Sequence, residues 1–333
     1  MSELTATRRV TRLAPVAGLF LLAPFCAELL SQYQGPITDP LKALLGLLLT
    51  APLYGTAALL IREITRRTGR GWPTILALGA AFGLIQAGLI DQMLFNHSAF
   101  GGGPYWQELP TFVPGLGLDV SQLLVFVGGH MVVSFAAPIA VVEACVPDRA
   151  DEPWLGRAGL TVVTVLYLAG AAYYLYELVI KPGFHATAWQ LLATAAAVVL
   201  LGAAGLLTTR LTAAPDGRAP KPVIVACATA IGLLGHILLR EPGPGGWAWP
   251  GVTLSVVVLA ALGALLLHWS LRPGWSSAHV LAAASPALLV YALVAFALPA
   301  DESAVLKYTS NAITLLAVLG LILFAYRRAR MAT

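Results

Sequence analysis

Residues 43–70 read ALLGLLLTAPLYGTAALLIREITRRTGR. The first nineteen carry no charge, and the last nine hold Arg62, Arg66, Arg67 and Arg70. A helix needs about 20 mostly apolar residues to cross the hydrocarbon core of a bilayer. An apolar run of that length, closed by arginines, has the form of a membrane span stopped at one face.

The pattern repeats in both directions. Ten apolar runs are expected to span, at 12–33, 41–61, 73–95, 120–146, 158–180, 187–207, 222–239, 250–271, 277–299 and 306–326. The runs are continuous rather than alternating, which favours helices over barrel strands. Apolar residues make up 58% of the chain and charged residues 11%, against about 45–50% and about 25% in soluble domains. The expected fold is an all-α, polytopic transmembrane bundle with no large soluble domain.

Charge sets its orientation. Sixteen of the twenty Lys and Arg fall on alternate loops: Arg8, Arg9, Arg12; Arg62, Arg66, Arg67, Arg70; Arg149, Arg157; Arg210, Arg218, Lys221; Arg272; and Arg327, Arg328, Arg330. The other side holds Lys42, Lys181, Arg240 and Lys307. Basic loops stay cytoplasmic, so both termini are placed inside a bacterial cytoplasmic membrane. The pI of about 9.0 then reflects stop-transfer flanks and contact with anionic headgroups, and needs no nucleic acid. The first run resembles a signal peptide, but Glu28 lies within it and no small-residue cleavage site follows, so it reads as a retained span. The C-terminal Arg-Met-Ala-Thr is not a prenylation box. Cys26, Cys145 and Cys227 lie in apolar runs without a C-x-x-C pair and read as small buried residues.

The polar, Pro-containing stretch 208–221 divides a front half of six spans, 1–207, from a back half of four, 222–333. The longest outer loop, Asn96 to Asp119, holds Gly101-Gly102-Gly103-Pro104, Tyr105, Trp106 and Phe112 and lacks Lys and Arg. It reads either as a lid or as a loop whose aromatics sit at headgroup level.

Ionisable residues inside spans are expensive and mark candidate sites. Glu28, Gln86, Asp91, Gln92, His130, Tyr173, Glu177 and His236 all fall in the middle or outer part of their spans. Gln122, Phe126, His130, Ser134 and Pro138 recur every four residues and follow one face of the fourth span. Gly79, Gly83 and Ala87 form a small-residue stripe that lets a neighbouring helix approach and leads to Asp91. Asp91 and His130 are expected to approach each other across the third and fourth spans in a wet outer cavity. The plain alternatives remain open: a helix–helix hydrogen bond for His130, and headgroup depth for Glu28, Asp91 and Glu177. Arg62-Glu63 reads as a flank with a local ion pair. His97 and His236 would be the recruits for a metal, but no H-E-x-x-H or comparable spacing supports one. No cofactor is implied.

Phe126-Val-Gly-Gly-His130, about forty residues after Gln86-Ala87-Gly-Leu-Ile-Asp91, resembles the core of the CPBP family of glutamate-dependent intramembrane proteases. That family carries E-E-x-x-x-R on one span, F-x-x-x-H on a later one and H-x-x-x-N/D on a third. The segment from Pro52-Leu-Tyr54 through Arg62-Glu63 to Phe95-Asn96 is also similar to a group of uncharacterised bacterial membrane proteins with such a core, and the resemblance covers residues 45–205. It puts Gln86 and Ala87 at the glutamate positions and Asp91 at the arginine position, and the third motif is missing. An amide cannot serve as the base that activates water. On an ideal helix Asp91 lies about 140° around from Gln86 and points elsewhere.

The resemblance therefore implies a degenerate core without protease activity, acting in binding or as an accessory protein. Two other readings stay open: a small-molecule permease, and an enzyme using Asp91 and His130 on a lipid-like or peptide substrate.

Overall fold

The computed structural model describes residues 2–30, 39–97, 109–208, 216–241, 246–298 and 303–331, and of residues 2–12 the backbone alone. Among the described residues ten helices are long and apolar enough to cross a membrane: Leu13–Leu30, Pro40–Arg67, Trp72–Ile90, Val120–Cys145, Arg157–Ile180, Ala188–Leu207, Pro222–Arg240, Ala248–Ser270, Ser277–Val294 and Ala304–Met331. They are called here the first to tenth spans, and the end of the bundle bearing Arg66 and Arg149 is the basic end. The polytopic helical bundle read from hydropathy is what the chain forms.

Local signals set the helix starts. Asp39 caps the second span by accepting from the amides of Leu41 and Lys42 at 3.0 and 3.2 Å, with Pro40 in the first turn. Thr187 and Gln190 close a reciprocal capping box on the sixth span. The second span ends later than its apolar run does. Arg62 to Arg67 stay helical because their side chains are paired inside the protein rather than spread at a surface.

The fourth span is the centre of the bundle. It packs on the first, second, third, ninth and tenth spans. One core joins Leu19, Leu53, Ile61 and Ile139, and a second joins Cys26, Val141, Leu288 and Val318, so the fourth span shares apolar surface with both halves of the chain. Buried residues make up 56–61% of the second, third, fourth and ninth spans but only 11–17% of the fifth to eighth. Those peripheral spans expose Leu192, Val199, Leu200 and Ile231, a surface suited to lipid rather than water.

The stripe on the third span does what its small residues allow. A Cβ added at Gly83 would sit 3.2 Å from the Cβ of His130 and from the Val127 carbonyl, and one at Gly79 would sit 3.3 Å from the Met131 carbonyl. Beyond Ile90 the chain does not leave the protein. Asp91 to Asn96 form a fully buried irregular turn, which a membrane tolerates only inside protein or beside a cavity. Gln92 has a left-handed φ of 55° there. Farther on, β1 (Phe112–Val113) and β2 (Leu118–Asp119) form a short antiparallel hairpin. Of the long loop's other residues, Gly101 to Pro104, Tyr105 and Trp106 lie outside the described residues. The last part of the 208–221 stretch is held by the turn between the eighth and ninth spans. Ala219 N–H donates to the Pro273 carbonyl at 2.9 Å, and His279 Nε2 lies 2.9 Å from the Pro220 carbonyl.

Candidate functional site

The last turn of the third span, Ile85–Ile90, is π-helical. Its wider turn closes with the Asp91 amide donating to the Gln86 carbonyl five residues back, at 3.0 Å. The side chains follow: Gln86 Nε2 donates to Asp91 Oδ2 at 2.9 Å, and the Met93 amide donates to Asp91 Oδ1 at 2.9 Å. This overturns the expectation that Asp91 points away from Gln86. That expectation assumed 100° per residue, and a π-turn brings residues five apart onto one side.

The same distortion recurs where other spans carry polar groups. Glu28, buried, lies in the π-turn Phe25–Leu30 of the first span. His130 begins the π-segment His130–Ala136, one residue after another at Leu124–Gly128. π-turns of this kind are frequent at functional sites. His130 Nδ1 lies 3.2 Å from Ser134 Oγ, the next residue of its four-residue stripe.

Tyr54, on the second span, connects these groups. Its ring packs against the His130 imidazole with centroids 5.6 Å apart. Its hydroxyl hydrogen-bonds Glu28 and lies within electrostatic reach of Asp91 and Tyr174. Asp91 and Glu28 also feel each other's charge. No hydrogen bond joins Asp91 to His130. The oxygens of Asp91 are held by Gln86 and Met93, and Tyr54 packs on His130 with its hydroxyl within electrostatic reach of Asp91. Sequence reading did not single out Tyr54. The available signal was a tyrosine deep in an uncharged run, whose hydroxyl needs a partner once buried.

Other residues expected in this cavity lie elsewhere. Tyr173 is exposed, and its neighbour Tyr174 is the one turned towards Glu28. Glu177 pairs with Lys181 at 2.7 Å near the surface of the fifth span. One residue, about 100° of helix rotation, decides the difference between the two tyrosines, because the fifth span packs on the second through the face that includes Gly170 and Tyr174. His236 lies 2.6 Å from Ser255 Oγ and ties the seventh span to the eighth. Gln92 accepts from the Ala186 amide at 2.8 Å and anchors the buried turn to the start of the sixth span. Phe126 packs on the apolar group of Ala87, Leu94 and Phe95.

At the basic end the local Arg62–Glu63 ion pair expected of a flank is present at 3.0 Å, but it belongs to a larger buried cluster. Arg62 has no exposed side-chain surface. It donates to Glu143 Oε1 at 3.1 Å, Glu63 Oε1 at 3.0 Å and the carbonyls of Arg149 and Ala150 at 3.1 and 2.8 Å. Its guanidinium carbon stands 3.3 Å above the Trp154 ring. Arg66 makes a two-pronged contact with Glu143, at 2.9 and 2.6 Å, and reaches Asp151 at 3.1 Å. Glu63 also accepts from the Trp154 amide at 2.7 Å. The network binds the second span, the fourth span and the segment 146–155 together.

Chemically, the two clusters differ in kind. Glu28, Tyr54, Gln86, Asp91 and His130 offer two acids, a phenol, an amide and an imidazole, all able to hydrogen-bond a ligand. No set of three or more His, Cys, Asp or Glu among the described residues is gathered as a metal ion requires. No curated protein and no solved structure matches the chain. The model of an uncharacterized membrane protein family matches residues 19–332, which takes in all but the beginning of the first span. The chain belongs to that family.

Proposed function

We propose that this is a multi-pass protein of a bacterial cytoplasmic membrane, with both termini inside and a degenerate CPBP-like core. In this reading the cluster around Glu28, Tyr54, Asp91 and His130 binds a ligand and does not cleave peptides. The observation that carries it is the Gln86–Asp91 contact. Gln86 stands where the resemblance would put a glutamate base, and it uses its amide N–H to hold Asp91. Asp91 in turn has both oxygens engaged. An amide does not titrate near neutral pH, so Gln86 cannot take the proton that water activation releases.

Native mass spectrometry of the purified protein tests the reading. A small molecule should co-purify with the unaltered chain and be absent from Asp91→Asn and His130→Leu. A chain that carries nothing, under conditions where the variants behave identically, counts against ligand binding. Orientation is tested separately by labelling a cysteine at the exposed Arg218. Labelling by an impermeant reagent from outside intact cells would contradict the cytoplasmic placement.

One observation favours a second reading, a permease. The fourth span is interrupted by π-segments, the first, third and fifth end in π-turns, and the irregular turn after the third span is buried. Broken helices at a central site are a feature of transporters. Uptake of the co-purifying molecule into proteoliposomes, lost in Asp91→Asn, would favour transport over simple binding.

A further inference from the structure

A cavity also lies outside both polar clusters. It is an open groove of about 590 Å³ between the first, fourth and tenth spans. Its walls are apolar, with Pro15, Leu21 and Phe25 on one side and Leu321 and Phe324 on the other. Gly18 leaves part of the floor open, since a Cβ there would come no closer than 3.9 Å to Val142. The one charged residue lining it is Arg328.

Two measures describe what fits. The groove runs along the first span from Ala14 to Phe25. Eleven steps at about 1.5 Å each give about 16 Å, half of a hydrocarbon core about 30 Å thick. Its length is therefore that of one leaflet. Its charged end is the basic end of the bundle, where Cys145 closes the fourth span. Arg328 is exposed there, and among the described residues its hydrogen bond is from Nε to the Cys145 carbonyl at 3.3 Å. An exposed guanidinium at that end can meet a headgroup, and its fork matches phosphate oxygens.

We propose that this groove is a binding slot for one acyl chain of an anionic phospholipid from the leaflet at the basic end, with the lipid phosphate held by Arg328. The slot differs from general attraction between basic residues and an anionic surface because one arginine lines it. Arg327 and Arg330 lie on the same helix end, also exposed, and do not line the groove.

The test is native mass spectrometry of the full chain in detergent, titrated with phosphatidylglycerol or with phosphatidylcholine of the same acyl chains. The unaltered chain should retain phosphatidylglycerol in preference to phosphatidylcholine. Arg328→Ala should reduce that preference about fivefold, the equivalent of about 1 kcal/mol for one basic residue at an anionic headgroup. Arg330→Ala should leave it unchanged. Gly18→Leu should lower retention of both lipids by filling the slot. Leu321→Trp narrows the groove from the opposite wall and gives the same reading if the glycine variant does not fold. Equal retention of the two lipids by the unaltered chain would overturn the proposal. So would a loss in Arg330→Ala equal to that in Arg328→Ala, or full retention in both groove-filling variants.

Discussion

Arg62 and Asp91 are both ionisable groups buried in the bundle, yet their surroundings are opposite in design. Around Arg62, two buried cations meet two buried anions, and two backbone carbonyls and the Trp154 ring take up what remains. The arrangement is closed, and it joins segments more than eighty residues apart in the chain. Around Asp91, the carboxylate meets the Gln86 amide and the Met93 backbone N–H, with a second acid, Glu28, within electrostatic reach. The backbone there is distorted into π-turns and a left-handed residue. A saturated charge network fixes structure. On the function proposed above, a cluster of acids and neutral donors in strained backbone leaves chemistry for a ligand to complete.

Substitutions can break or sharpen that contrast. Glu143→Ala should have the largest effect, because it strands Arg62 and Arg66 without their shared carboxylate. Removing one partner of a buried ion pair costs about 3–5 kcal/mol. Thermal unfolding in detergent should show a large loss, or no folded protein should be recovered. Gln86→Leu should cost less, about 1–3 kcal/mol, the penalty for a buried acceptor left unpaired. If it destabilises as much as Glu143→Ala, the Asp91 cluster is a structural lock like the other and the contrast fails. Tyr54→Phe removes the hydroxyl from Glu28 but keeps the ring against His130. It should cost about 1 kcal/mol while reducing the amount of co-purifying ligand more than a stability change of that size explains. Glu177→Gln should be nearly silent, within about 0.5 kcal/mol, since it breaks only an exposed pair four residues apart on a helix. A strong loss of ligand in Glu177→Gln would return that residue to the cluster.

Much of this molecule was readable from composition and periodicity. Ten apolar runs became ten helices because each is long enough to satisfy its own backbone in lipid. The stripe of Gly79 and Gly83 announced the close approach to His130, because small residues act locally and visibly. The positions that misled share a physical cause. Asp91 was assigned to the wrong side because regular helical geometry was carried through a π-turn, which apolar periodicity does not reveal. Tyr173 was taken for Tyr174 because the facing of a peripheral span depends on which neighbour it packs against. Arg62 passed for a flank because its partner Glu143 lies 81 residues away, and no local pattern links them. Tyr54 was unmarked because a single tyrosine in an apolar run has the same appearance whether its hydroxyl is paired or at an interface.

The central claim is that Gln86 holds Asp91 in place and that the site does not activate water for peptide cleavage. Its most direct test is turnover by the purified, unaltered chain in lipid nanodiscs, assayed by mass spectrometry against prenylated and unmodified peptide libraries. The account predicts no cleavage above that of empty nanodiscs. Cleavage by the unaltered chain that disappears in Gln86→Ala or His130→Ala would contradict it. Cleavage lost only in Asp91→Asn would contradict it too, and would make Asp91 the base of an enzyme.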